Sequence, residues 1–312
     1  MRVPRVSQLP IGSFGAVMGL AGLGLSVREA APVLAGAVRA PAHFSESWIA
    51  LATLAFAWLL PAYLWKLIKA PRAVREEFAN PVQMGFCATL PVGMTLLAGG
   101  LAPYVPPIAE VLWWAGVVLL LAMQAWGLQR LLAGGIELEQ VNAGWMILFI
   151  GGIVVPGAGL QLGHEGMSRF AFGVSATITP LVMGLVLLRA LARPALPAAL
   201  RPSWFILLVP PALVYAHGSV LFRDVAGLES LYFFGLVLAV ALLAYARGLA
   251  RWPFGASWWA MTFPLDALAY AAARYAGGHP EPVWTAFCGA TLVLAMLAVV
   301  LVLVRSALAL RA

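Results

Sequence analysis

The stretch WWAMTFPLDALAY, Trp258 to Tyr270, places a carboxylate, Asp266, three residues after a Phe263–Pro264 pair inside an otherwise apolar run. An acid in such surroundings can sit protonated, pair with a donor on another helix, or carry protons in a coupled transport cycle. The sequence leaves all three open. Catalysis finds less to work with. There is no HExxH pair, no GxSxG turn and no second intramembrane carboxylate nearby, so metal-assisted hydrolysis, acyl transfer and two-acid chemistry all lack their groups. Cys87 and Cys288 stand alone in apolar segments without disulfide or metal spacing. The expectation is a protein that is not an enzyme and has neither cofactor nor metal.

The elements that must position these residues follow from composition. Hydrophobic residues make up 63% of the 312 positions and charged residues 10%, against roughly half and about a quarter in a soluble domain. A bilayer core about 30 Å thick takes a helix of about 20 residues. Apolar segments at approximately 11–28, 44–69, 82–101, 107–132, 141–162, 167–192, 202–219, 228–250, 255–274 and 282–306 predict ten transmembrane helices in one domain, 1–312. The run behind MRVPRVSQLP holds Gly12, Gly15 and Gly19 with no small-residue cleavage site, and reads as a first span rather than a signal peptide.

The net charge of +7 is an orientation signal. With ten alternating spans, most of the 19 Lys and Arg fall on the side of the N-terminus, while Arg28, Arg39, Arg169, Arg223 and Arg274 fall on the other. The positive-inside rule then puts both termini in the cytoplasm of a cell with the protein in its inner membrane. A nucleic-acid partner has no further support; the lipid bilayer is the partner that composition implies.

The odd-numbered spans share an interruption. SFGAVMG, GFCATLP, WMILFIG, WFILLVP and WWAMTFP begin at Ser13, Gly85, Trp145, Trp204 and Trp258, and each closes on a glycine or proline: Gly19, Pro91, Gly151, Pro210 and Pro264. The residue before each is apolar: Met18, Leu90, Ile150, Val209 and Phe263. These positions recur at about the length of one helical hairpin. The pattern predicts an all-α membrane protein of five helical hairpins in quasi-fivefold order. Its inner helices are broken by Gly or Pro around a central pore, and its outer helices are smooth. A proline inside a helix removes one backbone bond and kinks it, and aligned kinks would bow the inner helices apart into a lumen. Close helix packing at small residues is the competing explanation.

With these motifs in view the sequence resembles the tellurite-resistance/dicarboxylate transporter family, which includes bacterial tellurite-resistance membrane proteins and plant slow-type anion channels. WWAMTFP in span nine, the opening LPIGSFGAVMGLAGLGL and the segment AVREEFANPVQMGF carry the resemblance. It implies a homotrimer with a pore in each subunit that passes small anions. Phe263 would be the gate, Met18, Leu90, Ile150 and Val209 would surround it, and Phe14 would be a second aromatic near the path. The alternative implied by the same scaffold is a proton-coupled exporter of C4-dicarboxylates or of tellurite and other toxic compounds, with Asp266 in the coupling. No Lys or Arg stands mid-span in the odd helices, so anions would rely on backbone dipoles, the cytoplasmic rim and hydroxyls such as Ser13, Thr89, Thr95, Ser203 and Thr262. That suits conduction better than tight capture. Trp258 and Trp259 are expected to anchor span nine at the membrane interface. Gln124 and His217 are expected to make helix-to-helix hydrogen bonds or to lie at an interface.

Overall fold

The computed structural model describes residues 8–36 and 41–311, and among them every regular element is helical and no strand occurs. The α-helices are α1 (Gly15–Leu34), α2 (Phe44–Lys69), α3 (Pro71–Ala79), α4 (Thr89–Leu101), α5 (Pro106–Leu132), α6 (Trp145–Ile150), α7 (Pro156–Gly159), α8 (Glu165–Ala192), α9 (Val209–Leu221), α10 (Glu229–Tyr245), α11 (Thr262–Gly278) and α12 (Pro282–Arg311). Joined to the 3-10 turns that abut them, eight of the resulting stretches are long and apolar enough to cross a membrane. A shorter apolar stretch, Trp145–Gly159, stands at the fifth predicted span. At the ninth, α11 follows the 3-10 segment Ala256–Met261. Arg2, Arg5 and Arg39, which contribute to the orientation argument, lie outside the described residues, as does the side chain of Arg311.

Burial separates two kinds of helix. The most apolar windows of Ile11–Leu34, Met84–Leu101 and Ala198–Leu221 are 72%, 78% and 78% buried, whereas those of the even-numbered spans lie between 17% and 39%. Leucines and valines such as Leu54, Val118, Leu181, Val237 and Leu297 stand exposed on the latter. Apolar side chains on an outer surface belong against acyl chains. The buried helices touch in sequence: α1 packs on α4, α4 on α7, the 3-10 turn Gly151–Val154 on α9, α9 on α11, and α11 back on α1. Gly19 lies where α1 packs tightly against α11. A Cβ there would stand 2.1 Å from Thr262 Oγ1, so only glycine admits the contact.

The interruptions take a different form from the predicted kinks. The buried spans open with 3-10 turns at Ile11–Phe14, Met84–Ala88, Ala198–Leu208 and Ala256–Met261, and each passes directly into an α-helix. Pro91, Pro210 and Pro264 are the third, second and third residues of α4, α9 and α11. A proline in the first turn costs no hydrogen bond, because the first four N–H groups of an α-helix have no partner of their own. These prolines start helices and do not bend them. Gly19 lies within the unbroken α1, and the change of winding falls at Phe14–Gly15 instead. Gly151 does end a helix: α6 stops at Ile150, and the chain resumes α-helical winding at Pro156. The outer helices are also less smooth than predicted, since Pro61 and Pro180 lie inside α2 and α8.

Candidate functional site

Two cavities lie among the buried helices. The first, of about 240 Å³, is enclosed by the 3-10 halves and helix starts: Ile11 and Met18, Phe86 and Val92, Met146 and Ile150, Ile206 and Val209, Trp259 and Phe263 line it. Its walls are almost wholly apolar. Among the described residues its one ionisable lining residue, Glu77 of α3, is fully engaged. Lys66 Nζ donates to Glu77 Oε2 at 2.7 Å, the Tyr63 hydroxyl to the same oxygen at 3.1 Å, and the Ile11 N–H to Glu77 Oε1 at 2.7 Å. Lys66 also donates to the carbonyl of Leu9 at 2.8 Å. This buried cluster ties α2 and α3 to the start of the first span.

The second cavity, of about 80 Å³, lies among the later halves of the same helices. Arg28, Glu29, Asp266, His217 and Tyr270 line it together with Ser26, Thr95 and Gln161. Phe263 and Val154 line both cavities. The Phe263 ring is 6% exposed, and Gly22 of α1 faces it: a Cβ on Gly22 would come within 2.9 Å of Phe263 Cδ2 and of Asp266 Oδ2. The gate candidate and the buried acid thus share one small-residue seat on α1. Ser26, one turn on, donates its hydroxyl to the Asp266 backbone carbonyl at 2.7 Å and fixes that seat.

Asp266 is completely buried, and neither carboxylate oxygen has a hydrogen-bond partner in the protein. The reading in which a donor on another helix pairs with it is therefore overturned among the described residues. His217 makes its helix-to-helix bond through Nδ1, 2.6 Å from the Ile153 carbonyl. Gln124 donates to Phe149 O and to Ser175 Oγ at 3.0 and 2.8 Å. Arg274 pairs with Glu29 at 3.0 Å. Arg28 donates to the carbonyls of Gly99 and Gly100 at 3.3 and 3.1 Å.

Of the residues expected around Phe263, Met18, Ile150 and Val209 line the first cavity beside it. Phe14 and Leu90 do not. Phe14 turns outward and meets Phe56 and Tyr63 of α2 edge-on, each at 6.1 Å between ring centres. Leu90 lines neither cavity, and its neighbours Thr89 and Val92 take the first-cavity positions. Four of the five hydroxyls offered as anion donors are occupied: those of Thr89, Thr95, Ser203 and Thr262 donate to backbone carbonyls of their own turn at 2.6 to 2.9 Å. Trp258 and Trp259 are buried within the protein. Trp258 donates to Pro253 O and Trp259 to Ser306 Oγ, and Trp259 lines the first cavity. Arg28 entered the sequence reading only as an outer-side charge at the end of the span 11–28, and Glu29 lay beyond that span, whereas α1 runs on to Leu34. The charged cluster at Lys66 and Glu77 was missed because nothing in AVREEFANPVQMGF tells which carboxylate turns inward.

Comparison with known proteins gives the scaffold its relatives. The chain is 25% identical over 283 residues to a tellurite resistance protein TehA homolog of Haemophilus influenzae, covering 89% of this chain and 85% of that one. It is 24% identical over 298 residues to the guard cell S-type anion channel SLAC1 of Arabidopsis thaliana, and 26% identical over 233 residues to the S-type anion channel SLAH2 of the same plant. The chain spans 51% and 44% of those two plant proteins. The sequence model of the voltage-dependent anion channel family matches residues 8–307, which takes in both cavities and every helix that lines them. The chain therefore belongs to the SLAC1/TehA family of integral membrane proteins.

Proposed function

We propose that this chain is an anion channel whose path runs through the two cavities and is closed between them by Phe263. The observation that carries the proposal is that one aromatic side chain lines both cavities. An ion passing such a constriction would have to shed water against an apolar ring, which is how a hydrophobic gate blocks conduction. The names of relatives, two plant S-type anion channels and a tellurite resistance homolog, support small anions as cargo. On this reading ten spans form five hairpins around the path, α11 and the short fifth span completing the set. The first cavity opens to the cytoplasm, as the positive-inside rule requires of the N-terminal side, and three copies assemble with a pore each.

Chloride, nitrate and malate flux into liposomes containing the purified chain tests it. Phe263→Ala is expected to raise chloride and nitrate flux, with no movement of protons. Equal flux in the two proteins overturns the gate. The unpartnered Asp266 favours a second reading, a proton-coupled exporter. That reading requires proton movement with the anion in the parent protein and its loss in Asp266→Asn.

A further inference from the structure

A hydrophobic gate at Phe263 has no use for an acid beside it, yet Asp266 shares the Gly22 seat with that ring. Asp266 is completely buried, lines the second cavity, and bonds to the protein through neither carboxyl oxygen. A carboxyl group in its neutral form has one O–H to give. Among the described residues no protein acceptor takes it, so that donor is left to the cavity. Arg28 brings further donors to the same space. A guanidinium carries five N–H groups, and the carbonyls of Gly99 and Gly100 engage Nη1 and Nη2 at 3.3 and 3.1 Å, which leaves N–H groups over. Arg28 stands six residues beyond Gly22 on α1, about 9 Å along the axis, so the two donors reach the cavity at different levels.

We infer that the second cavity is a binding site for a small monovalent anion such as chloride or nitrate, in which neutral Asp266 donates its O–H to the anion and Arg28 supplies positive charge. It rests on the pore reading for its place on the path beyond Phe263, and it names what regulates that path. Ionised, the same carboxyl is a negative charge in a cavity of low dielectric and repels the anion. Proton and anion therefore bind together, each raising the affinity for the other. The proton stays on Asp266 while anions pass, so it sets conduction without travelling, unlike the proton of a coupled exporter. Other charged groups around the cavity are accounted for. Glu29 of α1 is paired with Arg274. His217 of α9 directs Nδ1 to the Ile153 carbonyl, which leaves Nε2 as a second atom able to titrate there. Tyr270, one turn beyond Asp266, meets the His217 ring edge-on at 5.7 Å. The lining residues from α4 and α7 are uncharged. α10, α12 and the 3-10 segments before α9 and α11 pack on α11 but add nothing to the lining.

Asn and Leu provide a matched pair at position 266, similar in shape, of which only the amide can donate. The test measures chloride affinity of the full chain in detergent by line broadening of the chloride NMR signal, which needs no conduction. Asp266→Asn and Asp266→Leu share every surface site, so the difference between them isolates the cavity. Asp266→Asn is expected to bind chloride about tenfold or more tighter than Asp266→Leu, the worth of a hydrogen bond to a charged group, and to do so at every pH. The parent should match Asp266→Asn in acid and lose affinity as the pH rises, by up to about tenfold per unit, ending below Asp266→Leu once its carboxyl is charged. Equal affinity in the two variants overturns the inference. So does a parent whose affinity is flat from about pH 4 to about pH 10, a range wide enough to titrate a perturbed carboxyl. A pH dependence that survives in Asp266→Asn and vanishes in His217→Gln also overturns it, because the titrating group is then the imidazole. Failure of the pore reading looks different: Phe263→Ala then passes no chloride, while the chloride signal and its pH dependence remain.

Discussion

The two cavities are made by the same helices and meet at the same phenylalanine, yet they are chemically opposite. Below Phe263 the walls are methionine, isoleucine and valine, and the one carboxylate, Glu77, is bound on every side. Above it the walls carry Arg28, Glu29, His217, Asp266 and Tyr270, and the central carboxylate is bound to nothing. A carboxylate that the protein satisfies holds structure together, and one left unsatisfied in a cavity is available to whatever enters. The contrast ties Glu77 into the scaffold, and on the proposed pore reading it leaves Asp266 as the carboxylate that faces the path.

The sharpest way to break that contrast is to remove its boundary. Phe263→Ala merges the two cavities and is expected to raise chloride flux by about tenfold or more, which needs little over 1 kcal/mol off the barrier. A flux unchanged from the parent would mean that the cavities are separated by something else. The two carboxylates come next. Lys66→Met leaves Glu77 charged and buried without its cation, a loss of roughly 3–5 kcal/mol, and should show as a large fall in melting temperature in detergent. Asp266→Asn breaks no hydrogen bond and should leave that melting temperature within a few degrees of the parent. If the two substitutions cost the same, the division of labour between the carboxylates fails. Gly22→Ala acts on Phe263 and Asp266 together. The new methyl group falls 2.9 Å from each, so overpacking of about 1–3 kcal/mol is expected, together with a raised resting anion leak as the ring is pushed from its seat. A destabilised protein with an unchanged leak would show that the seat holds the helices together but does not set the ring.

How far these regions were legible in the sequence depends on what lipid demands of a chain. Hydrophobic length is read directly, so eight of the ten predicted spans came through as stretches long and apolar enough to cross a membrane, as did the contrast between buried spans rich in Gly and Pro and exposed ones rich in Leu and Val. WWAMTFP singled out Phe263, the aromatic that lines both cavities. What failed was direction and extent. Phe14 and Leu90 line neither cavity, because side-chain direction depends on where 3-10 winding gives way to α, and spacing alone does not record that change. The first span was ended at Arg28 and so left out Glu29, although a helix facing a polar cavity tolerates charge. Asp266 was visible from the start, and its isolation could be established only by seeing that no donor on any neighbouring helix reaches it.

Pro264 allows the smallest of these effects to decide between two accounts of the winding. If proline interrupts a helix that would otherwise run through, Pro264→Ala restores a hydrogen bond and relieves a clash, and the protein gains up to about 3 kcal/mol. If Pro264 instead stands in the first turn of α11, as it does here after the 3-10 segment Ala256–Met261, the substitution restores nothing. Alanine only loosens the unfolded chain, and the change should be a loss of about 1 kcal/mol or less. Phe263 keeps its place in that case, because the 3-10 segment before it and the Gly22 seat opposite determine where the ring lies. Thermal unfolding and chloride leak of Pro264→Ala, measured together, separate the accounts. A clear rise in melting temperature with an altered leak would make Pro264 the hinge that aims the gate. A slight fall with the leak unchanged leaves that task to the change of winding at Met261–Thr262.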